Sequence, residues 1–553
     1  MTTPGLIHPA VPGADGAVGW EDEPDRLGSL LIRQAVRRPD DEYVSFGGER
    51  WTYRRFSGWV DAVAADLVGR GIGRGDRILI QVPNRLEALV LQLAAFRIGA
   101  VDVPVIPIYR EHELRHILDD ARPAAVAVAA TVSSRTPPTE IDTILSSTDW
   151  APRVRYVIGG DADGWVPFRD LPESVDDVDL PEPGRPDEPA LILYTSGTTA
   201  KSKGAVLTAR ECLAHARNWV STFQVRSDDV YLVGTPLSHL GGFNAAILLP
   251  LFTGARVVVL PHWRAIEAAE IAEQEAATVM LGAALFLSEM VDIYASGRFS
   301  DRPIRLYASA GSVTPPALIR RAADFGVTAG SCYGMTEAGT LSGFGPGDPL
   351  ERRAELDGRI FPSMTVEAVD ELRRVLPPFE EGELRVRGPQ VMERYTDPAA
   401  SARQLDDEGW FYTGDVGYVT DDGWLKMTGR LKDIINRGGE KFSAQEIELA
   451  LVQHPDVLEV AVAGLPDERF GERVAAFLRL SDGVVWNGPQ PLLDHLDALG
   501  FAKQKFPVTW RVLAEGLPRT ASGKVRKNVL IDAGENDAAL PPVNAEQKEA
   551  KDV

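Results

Sequence analysis

An α/β fold is what this sequence predicts: a large N-terminal domain of mainly parallel sheets with a small antiparallel barrel-like part, followed by a small mobile α+β C-terminal domain. Three observations carry the expectation. From residue 75 to 195 short apolar runs alternate with amphipathic stretches, as βαβ units do. Beyond residue 383 short alternating segments separated by Asp-Gly pairs take over, the pattern of an antiparallel meander. After Arg430 the period changes again, to a mixture of helix and strands.

Taken in order, the apolar run 77–82 is broken by Pro83-Asn84, 86–98 has helical spacing and stops at Gly99, and 101–106 is the next strand. Runs at 125–129, 156–158 and 190–194 continue the alternation. The connector 171–189 is acidic and Pro-rich, and the strand after it enters a loop of small residues. Loops at the carboxyl ends of parallel strands hold ligands in such folds, so function is sought there. Strands are expected at 383–387 and within 417–425, a helix at 443–451 and strands at 458–463 and 473–480. Ser443 with Glu446 three residues later has the spacing of a capping box. The expected organisation is a flexible leader at 1–26, an N-terminal domain at 27–430, a hinge at 431–432, a C-terminal domain at 433–533 and a disordered tail at 534–553.

Composition narrows the function classes. With 44% hydrophobic and 25% charged residues, the 553-residue chain has the make-up of a soluble globular protein. Eighty acidic against 58 basic residues give a net charge of −22, which repels phosphodiester backbones, so no nucleic-acid partner is expected. The two cysteines, Cys212 and Cys332, make neither a disulfide framework nor a CxxC pair, which fits a cytoplasmic protein. No apolar run approaches the roughly 20 residues of a spanning helix, and no secretory signal is expected at the N-terminus. Lysine is scarce, 11 against 47 arginines, so lysine positions are informative.

The segment Tyr194-Thr195-Ser196-Gly197-Thr198-Thr199-Ala200-Lys201-Ser202-Lys203-Gly204 packs hydroxyls, glycines and two lysines into eleven residues after a strand. Backbone amides, hydroxyl donors and ammonium groups together suit an oligophosphate. The glycine spacing and the residue after Lys203 exclude a Walker A loop.

This segment resembles the phosphate loop of the adenylate-forming superfamily, which includes acyl- and aryl-CoA ligases, adenylation domains of peptide synthetases and luciferases. Five further segments match in the family's order: Tyr333-Gly334-Met335-Thr336-Glu337, Tyr412-Thr413-Gly414-Asp415, Gly429-Arg430-Leu431-Lys432-Asp433, Asn436-Arg437-Gly438-Gly439-Glu440 and Pro518-Arg519-Thr520-Ala521-Ser522-Gly523-Lys524. The likeness is nearest to carboxylic acid:CoA ligases and aryl-acid activating enzymes. It implies that a carboxylate attacks the α-phosphate of ATP, giving acyl-AMP and pyrophosphate, and that a thiol then displaces AMP. The implied cofactors are ATP, Mg²⁺ and coenzyme A, or the phosphopantetheine of an acyl carrier protein as partner.

By the same resemblance Thr195, Ser196, Gly197, Thr198, Thr199 and Lys203 would hold the phosphates, and Lys524 would be the catalytic lysine bridging substrate carboxylate and α-phosphate. Thr336 and Glu337 would contact the α-phosphate and the metal, with Glu337 its ligand. Tyr333 and Gly334 would lie against adenine, with Ala310, Gly311 and Ser312 lining the same pocket. Asp415 would accept both ribose hydroxyls, supported by Arg430. Lys432 stands at the hinge, and Gly438 and Gly439 would reach the thiol tunnel once the C-terminal domain has rotated. His239 would gate the acyl pocket and act in catalysis, with Phe243, Asn244, Gly282, Ala308, Gly311 and Cys332 around the substrate.

The sequence departs from the family's loop at Ala200, where Gly is usual, and at Ser202, where Pro is usual. Ala disfavours positive φ, a cost on the order of 1 kcal/mol for ATP binding. No Asp stands near Asn244 to hold an α-ammonium, so an amino acid is disfavoured and an aliphatic, alicyclic or aromatic acid is expected. Three alternatives remain at this point: an enzyme loading a carrier protein, a diverged relative that adenylates nitrite or transfers to an amine, and a non-catalytic nucleotide-binding relative.

Overall fold

The computed structural model describes residues 25–175, 179–195, 202–299, 303–311, 314–437, 440–467, 469–519 and 525–535. The leader up to residue 24, the tail from 536, and Ser196, Gly197, Thr198, Thr199, Ala200, Ser312, Gly438, Gly439 and Lys524 lie outside these residues. The chain divides into two compact units: residues 1–366, 386–411 and 422–425 form the first, and 367–385, 412–421 and 426–553 the second.

Two sheets organise the first unit. One has eight strands in the order Arg394–Tyr395, Lys203–Thr208, Pro189–Thr195, Val101–Pro104, Arg77–Gln81, Ala125–Ala129, Val154–Ile158, Val166–Pro167. From Pro189–Thr195 onward its neighbours run parallel, and the first two strands are antiparallel additions at the edge. The other has seven strands in the order Thr328–Ser331, Leu306–Ser309, Val279–Gly282, Val230–Val233, Arg256–Val259, Glu42–Phe46, Glu49–Thr52, parallel except for the last pair. The apolar run 77–81 is buried along four of its five residues, as a strand covered on both faces requires. The helix Leu86–Arg97 is buried from Ala88 to Phe96, and so lacks a wet stripe.

The second unit holds a sheet in which Thr365–Val369, Gly382–Arg387, Phe411–Val419 and Leu425–Arg430 lie in chain order. The alternating stretch 417–425 covers the end of one strand and the start of the next, and the expected Asp-Gly turn between them is Asp422-Gly423 (φ +81°). A five-stranded sheet follows, centred on the antiparallel pair Val457–Asp467 and Gly471–Leu480. Strand alternation sends Val462, Val474, Ala476 and Leu478 to one core with Ile447, Leu451 and Leu496, and Ala461, Ala463, Leu465 and Phe477 to another with Leu517 and Leu530.

Two local expectations are corrected. The Ser443 side chain caps the helix Ala444–Leu451 by accepting from Glu446 N–H at 3.3 Å, but the Glu446 carboxylate turns to the Lys505 ammonium at 2.6 Å. A full charge on the partner outcompetes a backbone amide. The last helix, Lys527–Glu535, takes in residues 534 and 535, which were expected in the tail.

Candidate active site

The carboxyl ends of parallel strands place the first group of residues. Register pairs Gly282 with Ser309 and Ser309 with Ser331, so Gly282, Ala308 and Cys332 come side by side at one edge of the seven-stranded sheet. Backbone bonds from Ala310 N–H to Gly282 O (3.0 Å) and from Cys332 N–H to Ser309 O (2.8 Å) extend this contact beyond the strands. Gly311 adopts φ +80°, a conformation that favours glycine. A Cβ on Gly282 would meet the Phe286 ring and the Tyr307 hydroxyl at 2.9 Å. Val230–Val233 belongs to the same sheet, and the segment after it carries His239 at the N-cap of Leu240–Phe243. The expected pocket residues Phe243 and Asn244 are enclosed by protein; Phe243 packs edge-on against Phe96 with centroids 6.0 Å apart. A π-turn begins at Asn244, a feature frequent at functional sites.

The motif after Cys332 folds into a tight hairpin. Gly334 pairs with Thr340 and Met335 with Gly339, which leaves Thr336, Glu337 and Ala338 as the turn. Gly334 is required here: a Cβ would meet Gly339 O at 2.5 Å and the Thr340 Cα at 2.7 Å. The buried His215 braces the hairpin, accepting from Thr340 N–H through Nε2 at 3.1 Å. Burial pushes this imidazole down to about 4, against a smaller upward pull from Asn244, so it stays neutral and Nδ1 carries the proton. Gln390 closes the other side, donating to Ala338 O at 2.7 Å and Thr340 O at 2.5 Å.

Glu337 is where separate stretches of chain converge. Its Oε1 accepts from Tyr395 Oη at 2.8 Å and from Thr195 Oγ1 at 3.3 Å. Thr195 and Lys203 face each other in antiparallel register and so close the base of the phosphate segment. Lys203 Nζ donates to Gln404 Oε1 at 3.0 Å and sits 5.3 Å from the Tyr395 ring centroid. Burial and then Arg403 lower the Lys203 pKa, against Glu337 and Asp397. A carboxylate, a hydroxyl and an ammonium at one mouth suit a metal-bridged oligophosphate. Among the described residues no group of three His, Cys, Asp or Glu could hold a metal. The single carboxylate fits a cation whose remaining ligands are phosphate oxygens and water, the way Mg²⁺ is held.

In the second unit Asp415 is 7% exposed and accepts from Arg430 Nε at 3.0 Å. Thr413 Oγ1 donates to Leu384 O at 2.7 Å and accepts from Asp415 N–H at 3.0 Å, which fixes the strand around the carboxylate. Arg437 pairs with Glu440 across residues 438 and 439, and Arg519 bridges Val525 across 520–524. Lys432 lies in the single turn Leu431–Asp433. Sequence reasoning missed His215, Gln390, Tyr395 and Gln404. The last two stand in a stretch without a glycine or motif signal, and only their contacts mark them.

The hydroxyl- and lysine-rich segment that begins at the strand end Thr195, and the approach of Glu337 to Thr195, are what an adenylate-forming enzyme would need. The chain belongs to the family of AMP-binding enzymes: that family matches residues 31–396, and the AMP-binding enzyme C-terminal domain matches 446–524. It is an acid–thiol ligase, of the acyl- and aryl-CoA ligase group that works through an adenylate. The medium-chain fatty-acid–CoA ligase of Escherichia coli (strain K12) is 34% identical over 511 residues, covering 90% of this chain and 88% of that protein. A salicylyl-CoA synthase/salicylate adenylyltransferase of a Streptomyces species is 33% identical, covering 93% and 94%. Among solved structures, ATP-bound MatB from Rhodopseudomonas palustris superimposes with a TM-score of 0.80 at 28% identity, over 93% of this chain and 100% of that one. Among the described residues no helix is long and apolar enough to cross a membrane.

Proposed function

We propose that this chain converts an aliphatic, alicyclic or aromatic carboxylic acid to its CoA thioester through acyl-AMP. The observation that carries the reading is the meeting of Glu337 with Thr195 at the strand end, beside Lys203. The acid's carboxylate oxygen attacks the α-phosphorus of ATP, the bond to the β-phosphate oxygen breaks, and pyrophosphate leaves. Thr195 and Lys203, with residues 196–199, bind the phosphates, and Thr336 with Lys524 neutralises the crowding oxygens. Glu337 would hold Mg²⁺, which when bound would supply positive charge against the departing pyrophosphate. Tyr333, Gly334 and residues 310–312 receive adenine, and Asp415 with Arg430 receives the ribose. His239 gates the acid pocket, whose further walls are Phe243, Asn244, Gly282, Ala308, Gly311 and Cys332. The domain boundary at 431–432, with Lys432 as hinge, lets the second step present Gly438 and Gly439 to the incoming thiol, whose sulfur attacks the acyl carbon and releases AMP.

Pyrophosphate release over aliphatic, alicyclic, aromatic and amino acids and nitrite, each with and without CoA, tests the reading. Acid-dependent release followed by CoA thioester supports it; no release with any carboxylic acid rejects it. The second reading is carrier loading, recognised by thioester on holo-carrier protein but not on free CoA. A bulky side chain in Gly439→Trp is expected to spare pyrophosphate exchange and to abolish thioester formation. An unchanged thioester yield removes Gly439 from the thiol path.

A further inference from the structure

We infer that Tyr395 is a positioning residue for adenylation: its hydroxyl fixes the Glu337 carboxylate by occupying Oε1, so that Oε2 is the oxygen that meets the nucleotide's metal. The inference rests on the function proposed above and deepens it.

The argument is one of counting protons. Tyr395 Oη lies 2.8 Å from Glu337 Oε1 and 3.1 Å from Gln404 Oε1, both acceptors, while a phenol has one proton. Lys203 is a donor only, so its 3.0 Å bond compels Gln404 to present its oxygen and not its amide nitrogen. The Tyr395 proton therefore goes to the nearer and charged acceptor, Glu337. Thr195 Oγ1, whose alternative acceptor is Lys203 O at 3.4 Å, reaches the same Oε1 at 3.3 Å, and its one proton too goes to the charged oxygen. Two donors on one carboxylate oxygen leave the other as the ligand atom and set the plane of the group.

The tyrosine is itself held. It is 2% exposed, pairs with Ala205 on the strand after the phosphate segment, and donates its backbone N–H to Ser401 Oγ at 2.9 Å. Ser401 and Gln404 belong to the short helix Pro398–Gln404, capped by Asp397 through Ala399 N–H at 2.9 Å. One small segment, 395–404, thus orients both the carboxylate meant for the metal and the ammonium meant for phosphate. Partners that orient a metal-binding carboxylate are worth about 10–100-fold in metal affinity or activity.

The test is Tyr395→Phe, which keeps the ring and the packing. We expect pyrophosphate exchange to fall about 10–100-fold, and the Mg²⁺ concentration for half-maximal exchange to rise about tenfold. KM for the acid should be unchanged. Binding of Mn²⁺ with a non-hydrolysable ATP analogue, followed by electron paramagnetic resonance, should weaken in parallel, a reading that needs no turnover. Thr195→Val removes the other donor and should shift the metal dependence in the same direction. Gln404→Leu should raise KM for ATP through Lys203 and leave the metal dependence unmoved. Unchanged Mn²⁺ and Mg²⁺ dependence in Tyr395→Phe overturns the inference, as does an equal metal shift in Gln404→Leu. Should the wild-type protein release no pyrophosphate with any acid, the proposed function fails, and the Mn²⁺ measurement still decides the role of Tyr395.

Discussion

Replacing Lys524 with alanine is expected to lower acid-dependent pyrophosphate exchange by about 10²–10³-fold while leaving the consumption of preformed acyl-adenylate nearly intact. In the first half-reaction two anions must approach, and a positioned cation between them acts on charge that exists only while the new P–O bond forms. In the second half-reaction the attacking thiol meets an acyl phosphate that has already shed pyrophosphate, so that cation no longer has two anions to join. The described residues on either side of 520–524 are tied to one another. Arg519 bridges Val525, Arg526 N–H donates to Pro518 O at 2.7 Å, and Arg519 itself is held by Glu459 at 2.6 Å. Single-turnover kinetics of the two halves with isolated adenylate check the expectation; an equal loss in both halves withdraws the role from Lys524.

The second large effect concerns stability. Asp102 is fully buried in the strand Val101–Pro104, between Ile78 and Leu191 on the neighbouring strands. Burial pushes its carboxyl up to about 8, against a smaller downward pull from Gln92, whose amide donates at 3.0 Å. The folded value lies above the roughly 3.9 of an unfolded Asp, so the native state holds a proton that the unfolded chain has lost. Its stabilising contribution is full below about pH 4 and is lost as pH rises towards 8, at about 1.4 kcal/mol per pH unit. Asp102→Asn should abolish this slope and should exceed the wild type in stability at pH 8 by several kcal/mol. Urea midpoints of both proteins at pH 5 and pH 8 give the comparison; parallel pH dependence in the two would contradict the burial argument.

How much of this was legible in the sequence varies with the distance along the chain over which each feature is built. Short apolar runs located five strands of the eight-stranded sheet, because a strand's burial pattern is written in its own few residues, whereas no strand of the seven-stranded sheet was assigned from the sequence. The turn at 421–423 was legible as an Asp-Gly pair between alternating strands, since a tight turn is written in its own residues. The capping box at Ser443 was half right: the backbone bond is local, whereas Glu446 was claimed by Lys505, 59 residues away.

The same division runs through the site. The family and the α/β class were legible in the sequence alone, and Thr195, Lys203, Thr336, Glu337 and Asp415 could be singled out there because each sits in a short segment of distinctive composition. Only the tertiary structure decided that Tyr395, 58 residues from Glu337, and Thr195, 142 residues from it, share one oxygen of that carboxylate. The structure alone also buries His215 behind Thr340 and Asp102 within its sheet, which pushes the imidazole's pKa down and the carboxyl's up. Hydrogen-bond partners and desolvation depend on what folding brings within about 3 Å, and no local pattern of residues encodes that neighbour.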